Sequence, residues 1–246
     1  AITEMSREGE KVAIIGGGPA GLAAAYHAQK HGLQATVFEK RETLGGIVRN
    51  VIPGFRIGDD AIDNDIALIK KTGAEFVMGK EAPDVKELKA MGFDYIVLAC
   101  GAEKKGRLDI EGNVMNVIDF LYAFKNGGEL KLGRNVAVVG GGNTAMDAAR
   151  AAKRAEGVEK VTLVYRRNRR YMPADLEELE LAIEDGVEFM ELASPVKQAN
   201  GKLVCNKMKL GDKDASGRRV PVETGETVEV DADTVIAAVG EKVDLD

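Results

Sequence analysis

The sequence is poor in cysteine, in long apolar runs and in excess positive charge, and each shortage excludes a class of function. Cys100 and Cys205 are the two cysteines among 246 residues, so this sequence alone cannot supply a Cys-x-x-Cys redox pair, a zinc cluster or an iron–sulfur cluster. No apolar run approaches the roughly 20 residues of a membrane span, and residues 1–8 lack the apolar core of a signal peptide. The net charge of −6 gives no electrostatic footprint for nucleic acid. We therefore expect a soluble, cytoplasmic protein with no membrane partner, no nucleic-acid partner and no metal site.

Glycine, in contrast, is plentiful and is concentrated in two similar segments. The first glycine segment (residues 12–25) and the second glycine segment (residues 136–150) each consist of an apolar strand, a glycine turn and a helix. The length of 246 residues fits one or two domains, and 45% hydrophobic residues can fill a sizeable core. Two such segments predict an α/β protein that holds two nucleotides in two domains.

The first glycine segment has the Gly-x-Gly-x-x-Gly spacing of a dinucleotide-binding turn. Gly16 permits a tight turn, Gly18 lets the backbone approach a pyrophosphate, and Gly21 lets the helix pack on the strand. The helix N-terminus then faces the anion. A second strand, residues 33–38, ends in Glu39, which can accept hydrogen bonds from a ribose diol. The alternatives are a glycine-rich corner of some other α/β protein and, for Glu39, a solvated carboxylate.

The second glycine segment repeats this spacing as Gly-x-Gly-x-x-Ala. The pattern is formed by Gly140, Gly142 and Ala145, and either Asn143 or Thr144 can cap the helix that follows. We therefore predict a second nucleotide at this turn.

The two segments differ at the end of the strand that follows each helix. Where the first ends in Glu39, the strand predicted over residues 161–165 ends in Arg166 and Arg167. A carboxylate pairs with a free ribose 2′-hydroxyl and repels a 2′-phosphate, whereas an arginine fork offers paired donors to that phosphate. The second site is therefore predicted to prefer NADP over NAD. A solvated basic turn is the alternative.

The rest of the chain alternates helical and extended patterns. We predict a loop over residues 40–59, helices over 60–72, 83–91, 119–125 and 172–185, strands over 74–78, 95–102, 187–192 and 234–241, and a small β meander between residues 199 and 230. Pro173 is expected in the first turn of its helix. Cys100 and Cys205 are both interpreted as packing residues.

Several further motifs resemble the glutamate synthase small subunit family. They are the loop at residues 44–46 with residues 52–56, the Tyr-Arg-Arg to Met-Pro-Ala segment at residues 165–174, and the two strands that end in small residues and glycine. Residues 185–189 and 217–224 most resemble the flavin subunit of selenate reductases. The match extends along nearly the whole chain.

This resemblance implies two Rossmann-like domains, of which the first binds FAD and the second, inserted in the first and carrying the β meander, binds NADPH. Hydride then passes from nicotinamide to flavin, and electrons leave through iron–sulfur clusters in a domain or subunit outside this sequence. Transfer between stacked rings needs no protein acid or base, so we predict no catalytic residue.

The resemblance also assigns the site residues. The expected FAD-binding residues are Gly16, Gly18, Pro19, Ala20, Gly21, Glu39, Lys40, Gly45, Gly46, Cys100, Gly101 and Ala102. The expected NADP-binding residues are Gly140, Gly142, Asn143, Thr144, Ala145, Arg166, Arg167, Gly240 and Glu241.

The sequence departs from the family in three ways. Cys100 stands where the family has threonine, the cluster-bearing segment that precedes the flavin domain is absent, and so is the segment that closes that domain. We therefore expect a fragment that holds FAD weakly. Its predicted parts are an incomplete FAD domain (1–118), a crossing linker (119–134), an NADP domain (135–239) and the start of a return to the FAD domain (240–246).

The leading interpretation is an NADPH-dependent, FAD-containing oxidoreductase module. The alternative is a binding-only fragment that holds NADP(H) or FAD without turnover. A disulphide reductase or monooxygenase of the same architecture is disfavoured, because the sequence has no cysteine pair and nothing in it marks an oxygenase pocket.

Overall fold

A computed structural model describes residues 9–102 and 105–240 of the chain. The chain divides into two compact units, Ala1–Ala102 and Glu103–Asp246. Each unit contains a parallel β-sheet with helices, which confirms the predicted α/β class. None of the helices in the described ranges has the length and apolarity to cross a membrane.

The first unit is built around one apolar strand. Its elements are β1 (Lys11–Ile15), α1 (Pro19–Lys30), β2 (Gln34–Glu39), α2 (Gly46–Asn50), α3 (Asp59–Lys70), β3 (Glu75–Met78), α4 (Val85–Ala90) and β4 (Tyr95–Leu98). The sheet is parallel in the order β3-β2-β1-β4. Ala13 and Ile14 of β1 are fully buried, as expected for a central strand covered on both faces. Parallel strands place their carboxyl ends at one edge, so the turns after β1, β2 and β4 meet there.

The region from residue 40 to residue 59, predicted to be a loop, contains the five-residue helix α2. Gly45 N–H, at its N-cap, donates to the Gly17 carbonyl at 2.8 Å and ties the helix to the first glycine turn, while within the helix the Asn50 side chain donates to the Gly46 carbonyl at 2.8 Å. A helix this short depends on tertiary contacts, because local propensity cannot stabilise a single turn.

The second unit combines a parallel sheet with an antiparallel one. Its elements are β5 (Val114–Asn116), α5 (Val117–Lys125), β6 (Asn135–Val139), α6 (Asn143–Lys153), β7 (Lys160–Tyr165), α7 (Leu176–Glu184), β8 (Glu188–Glu191), β9 (Ala193–Ala199), β10 (Lys202–Lys213), β11 (Arg219–Asp231) and β12 (Thr234–Ala237). The parallel sheet has the order β5-β12-β6-β7-β8, and β11-β10-β9 form the meander. Asn200 and Gly201, both at positive φ, form the tight turn between β9 and β10.

The units divide earlier than the boundary that the sequence predicted after residue 118. Strand β5, which the sequence did not reveal, pairs in parallel with β12 through Val114 and Val235 and so belongs to the second sheet. Helix α5 follows it directly, starting at Val117. The segment predicted as a crossing linker therefore lies within the second unit.

Helix α7 begins later than predicted, and Pro173 is not in its first turn. The helix starts at Leu176 after Asp175, and Met172 is extended after a short 3₁₀ turn at Arg169–Tyr171. The segment before the helix bonds to the second glycine turn instead: Ala174 N–H donates to the Gly141 carbonyl at 3.0 Å.

Candidate functional site

The first glycine turn is packed closely on one side and open on the other. Gly16 has a φ of 111°, and a methyl group there would lie 2.3 Å from the Ala99 carbonyl oxygen. A methyl group on Gly21 would lie 1.8 Å from the Gly16 carbonyl oxygen. At Gly18 the nearest atom to such a group would be Cα of Gly46, at an ordinary 3.7 Å. The protein itself does not require glycine at position 18, so the open space fits the close approach of a ligand.

The carboxylate of Glu39 ties this turn to the end of β2. It is buried, with 6% of the residue exposed, and it accepts hydrogen bonds from Gly17 N–H at 2.7 Å and Arg41 N–H at 2.9 Å. Each carboxylate oxygen therefore has one backbone donor. Since an ionised carboxylate offers about four acceptor positions, acceptor positions are left over for the hydroxyl groups of a ribose diol. The solvated alternative for Glu39 is wrong.

The other residues expected around FAD fall at the same edge of the first sheet. Pro19 and Ala20 are exposed at the start of α1, whose N-cap, Gly18, makes no side-chain capping bond. Residues 45 and 46 abut the turn, while Lys40 and residues 100–102 are exposed. The exposure of Cys100 corrects its interpretation as a buried packing residue.

The second glycine turn repeats this arrangement with different neighbours. A methyl group on Gly140 would lie 2.5 Å from the Ala238 carbonyl oxygen, and one on Gly141 would lie 2.4 Å from Cε2 of Tyr165. Around Gly142 no heavy atom of the described residues lies within 4 Å of such a position. As in the first turn, the middle glycine of the pattern faces free space.

A cavity of about 450 Å³ opens at the carboxyl ends of β6, β7 and β12. Its lining is formed by Leu108, Val139, Gly140, Gly141, Gly142, Thr144, Ala145, Val164, Tyr165, Arg166, Arg167, Pro173, Ser194, Pro195, Arg218, Ala238, Val239 and Gly240. The volume lies in the range of small-molecule sites, and the position is where parallel α/β sheets bind ligands.

Most of the residues predicted for the second nucleotide line this cavity, but Asn143 does not. Its side chain instead exchanges two hydrogen bonds with Asp175, each of 3.0 Å. The N-cap of α6 is Gly142, so neither Asn143 nor Thr144 caps the helix as predicted. Glu241 lies outside the described residues.

The two arginines at the end of β7 have different surroundings. Arg166 is exposed at the rim of the cavity. Arg167 is 7% exposed, and its Nε donates to the Arg219 carbonyl at 2.8 Å while its Nη2 lies 3.6 Å from Oδ2 of Asp214. The sequence analysis predicted that both arginines bind one phosphate. In the structure, the guanidinium of Arg167 instead contacts the β10–β11 hairpin through Nε and Nη2.

Some lining residues were not predicted from the sequence. Leu108, Ser194, Pro195 and Arg218 come from segments far from either glycine turn in the chain. Arg218 falls within residues 217–224, which contributed to the family resemblance. That motif did not show that the segment lies at the cavity. Cys205, in contrast, is confirmed as a packing residue: it is fully buried, and burial raises the pKa of its thiol to about 11.

Parallel sheets with open glycine turns at their carboxyl edges define a nucleotide-binding protein of the α/β class. The sequence model of the pyridine nucleotide-disulphide oxidoreductase family matches residues 10–246. The chain belongs to this family of oxidoreductases.

Individual relatives agree with this assignment. The chain is 46% identical over 241 residues to YgfK of Escherichia coli K12, a candidate oxidoreductase, with 96% of this chain and 23% of YgfK covered. It is 34% identical over 260 residues to the glutamate synthase [NADPH] small chain of the same organism, with 96% of this chain and 55% of the relative covered. The family-level resemblance is thus confirmed, and the chain spans only part of these relatives.

The fold also has experimental counterparts. FprA of Mycobacterium tuberculosis, solved in complex with NADPH, superposes with a TM-score of 0.79 at 20% identity and covers 94% of this chain and 71% of FprA. At this identity the likeness concerns the fold alone.

Proposed function

We propose that this chain is a module that accepts hydride from NADPH onto FAD. The observation that carries the proposal is the cavity of the second unit, which is lined by both the open backbone at Gly142 and the exposed Arg166. A pyrophosphate at the turn and a 2′-phosphate at the end of β7 match these two features. The glutamate synthase small chain, by its name, uses NADPH, which agrees with this choice of nucleotide.

FAD is assigned to the first unit by the same logic. The open backbone at Gly18 accommodates a pyrophosphate, and Glu39 at the end of β2 offers a carboxylate to a ribose diol. A carboxylate at this position disfavours a 2′-phosphate, so the two nucleotides are distributed between the units by charge. Bound FAD supplies an electron acceptor for hydride, and the residues of this chain bind and orient the two nucleotides.

Two further features of the proposal come from the family resemblance. The second domain is inserted in the first, and iron–sulfur groups in a domain or subunit outside this sequence accept the electrons. The closer relation to selenate reductases stays a prediction.

An absorption experiment tests the function directly. The purified chain is mixed with FAD, and spectra are recorded without oxygen before and after addition of NADPH or NADH. We expect NADPH to bleach the flavin band and NADH to do so far less. The variant Arg166→Ala should bind NADP about tenfold more weakly and NAD almost unchanged, because a hydrogen bond between charged groups contributes about 1.5–3 kcal/mol.

The outcomes separate the competing interpretations. Binding of both nucleotides without bleaching would favour the binding-only alternative. Equal loss of NADP and NAD in Arg166→Ala would contradict the assignment of the 2′-phosphate, and absence of NADP binding would refute the proposed function.

A further inference from the structure

We propose that Arg218, rather than Arg167, is the second cation that faces the 2′-phosphate of NADP beside Arg166. In this arrangement Arg167 is a positioning residue that holds the hairpin carrying Arg218. The inference rests on the proposed NADP site and specifies how that site selects its nucleotide.

The guanidinium of Arg167 is engaged by the β10–β11 hairpin. Its Nε and Nη2 belong to one edge of the planar group, and both are directed at the β10–β11 hairpin, the first to the Arg219 carbonyl and the second towards Asp214. The side chain of Arg167 is 8% exposed. A bidentate bond to a phosphate requires two donors on one edge. Although Arg167 also lines the cavity, Nε of this edge is hydrogen-bonded to the hairpin and Nη2 is paired with the Asp214 carboxylate.

The turn at the tip of that hairpin is organised by the carboxylate of Asp214. Oδ1 of Asp214 accepts hydrogen bonds from Ser216 N–H at 2.9 Å and Arg218 N–H at 3.1 Å, and Asp214 N–H donates to the Arg218 carbonyl at 2.8 Å. The Ser216 hydroxyl also donates to Asp214, and this bond chiefly lowers the pKa of the carboxyl group below its usual value. Asp214 is thus ionised at neutral pH and connects the guanidinium of Arg167 to the backbone of Arg218.

This turn brings Arg218 to the cavity. Arg218 lines the cavity together with Arg166, and both are exposed. The next residue, Arg219, is not among the lining residues, and its Nη1 donates to the Gly211 carbonyl at 3.2 Å. Arg218 Nε in turn donates to the Ser216 hydroxyl oxygen at 3.1 Å, so the side chain of each of the two adjacent arginines makes a hydrogen bond within the hairpin, and Arg218 alone of the two lines the cavity.

Two cations from separate elements suit a 2′-phosphate better than either alone. The phosphate carries close to two negative charges at neutral pH, and charge-assisted bonds to it are short and strong. Arg166 extends from the end of β7 and Arg218 from the hairpin, so the NADP preference depends on a segment remote from the glycine turn.

The test compares Arg218→Ala with its neighbour Arg219→Ala in the full chain, by calorimetric titration with NADP and NAD. Arg218→Ala should weaken NADP about tenfold and change NAD by less than about twofold, whereas Arg219→Ala should change neither beyond about twofold. Because Arg167 bonds the backbone carbonyl of Arg219, the alanine variant keeps that contact. Circular dichroism verifies that each variant is folded.

A double-mutant cycle distinguishes positioning from direct contact. Arg167→Gln should weaken NADP when Arg218 is present and add less than about twofold in the Arg218→Ala background, because coupled residues are not additive. An equal loss in both backgrounds would show that Arg167 contacts the phosphate itself and would overturn the positioning role. Tight NADP binding with an unchanged NADP-to-NAD ratio in Arg218→Ala would overturn the inference alone. A wild-type chain that binds neither nucleotide would overturn the proposed function as well.

Discussion

The two glycine turns of this protein share a backbone arrangement but differ in how closely helix and strand approach. In the first, an added methyl group at Gly21 would meet the Gly16 carbonyl oxygen at 1.8 Å, so only glycine fits. In the second, Ala145 occupies the corresponding position and is fully buried. The middle glycines, Gly18 and Gly142, are alike in facing open space. The residue type at the third position of the pattern therefore depends on how closely helix and strand pack. The open space at the second position is available to a ligand.

The strand ends differ more than the turns. At the end of β2, the buried Glu39 accepts a hydrogen bond from the backbone of its own glycine turn. At the end of β7, the Tyr165 ring lies against Gly141, and the next residue, Arg166, is exposed. Carboxylate and guanidinium have opposite preferences for a 2′-phosphate. Nucleotide choice is therefore expected to be set by the strand end and its neighbours, and hardly at all by the glycine spacing.

The two thiols give the largest expected contrast between the units. Cys100 is exposed after β4, and Cys205 is fully buried with its pKa raised to about 11. Because the thiolate is the reacting form, its fraction falls about tenfold for each unit by which the pKa rises. We expect an aromatic disulphide reagent to modify Cys100 on the order of a hundredfold faster than Cys205 in the folded protein.

Added nucleotides sharpen the thiol comparison. FAD should protect Cys100, because residues 100–102 are predicted to contact it, and NADP should not. Denaturation should make both thiols react alike. Protection of Cys100 by NADP alone would contradict the assignment of FAD to the first unit.

The sequence predicted the elements that a continuous apolar run or a glycine spacing defines. The strand, glycine turn and helix predicted for each glycine segment are present as β1 with α1 and β6 with α6, because an apolar run followed by closely spaced glycines defines such a unit locally. The exposure of Cys100 was not predictable in this way. Strand β4 is at the edge of the four-stranded sheet of the described residues, and its last residue, Leu98, is 67% exposed, so an apolar run there does not signify burial on both faces.

Long-range partners explain what the sequence did not reveal about the site. Arg167 and Arg219 are 52 residues apart, and no local pattern indicates that one side chain bonds the backbone of the other. Strand β5 is likewise stabilised by its distant partner β12. The positive charge at the end of β7 was predictable from the sequence. The bond between Arg167 and the β10–β11 hairpin was not.

Exchanging the middle glycines tests whether the open space in each turn serves a separate nucleotide. Gly18→Ala should lower FAD affinity and spare NADP, and Gly142→Ala should do the reverse, each by about tenfold or more because a methyl group would occupy the approach of the pyrophosphate. Both positions have backbone angles that alanine adopts readily. Titrations with each nucleotide measure the effect.

Gly58→Ala is the matched control for the glycine variants. No heavy atom of the described residues lies within 4 Å of the added group, and the residue precedes α3 with extended backbone angles. It should leave both affinities unchanged. Loss of NADP in Gly18→Ala with FAD retained would mean that the units had been assigned in reverse.

The smallest expected effect concerns how helices are joined in each unit. Leu22 of α1 packs with Ile62 and Ile66 of α3 in an apolar cluster. Between α6 and α7 the contact is ionic: Arg150 Nε and Arg154 Nη1 both donate to Oδ2 of Asp185 at 2.7 Å. Chiefly through the bond from Arg154, this cluster lowers the pKa of Asp185. Acid should therefore weaken the second unit while leaving the apolar contact of the first largely intact.

The variant Asp185→Asn isolates this ionic contact. At pH 7 it should destabilise α6 and α7 by about 1–2 kcal/mol, because two guanidinium groups lose an ionised partner that is itself partly exposed. A carboxylate whose pKa is lowered on folding stabilises the fold above its unfolded pKa, and that contribution is lost as the pH falls through the folded value. The difference between wild type and variant should therefore begin to shrink below about pH 4 and disappear once the pH is below the lowered pKa of folded Asp185. Asp109→Asn, in a pair with both side chains more than 85% exposed, should cost less than about 0.5 kcal/mol.

Hydrogen exchange in peptides from α6 and α7 measures how much local stability each variant loses, with peptides from α1 and α3 as the internal reference. A difference between wild type and Asp185→Asn that persisted unchanged at pH 3 would show that the carboxylate stabilises these helices by packing rather than by its charge.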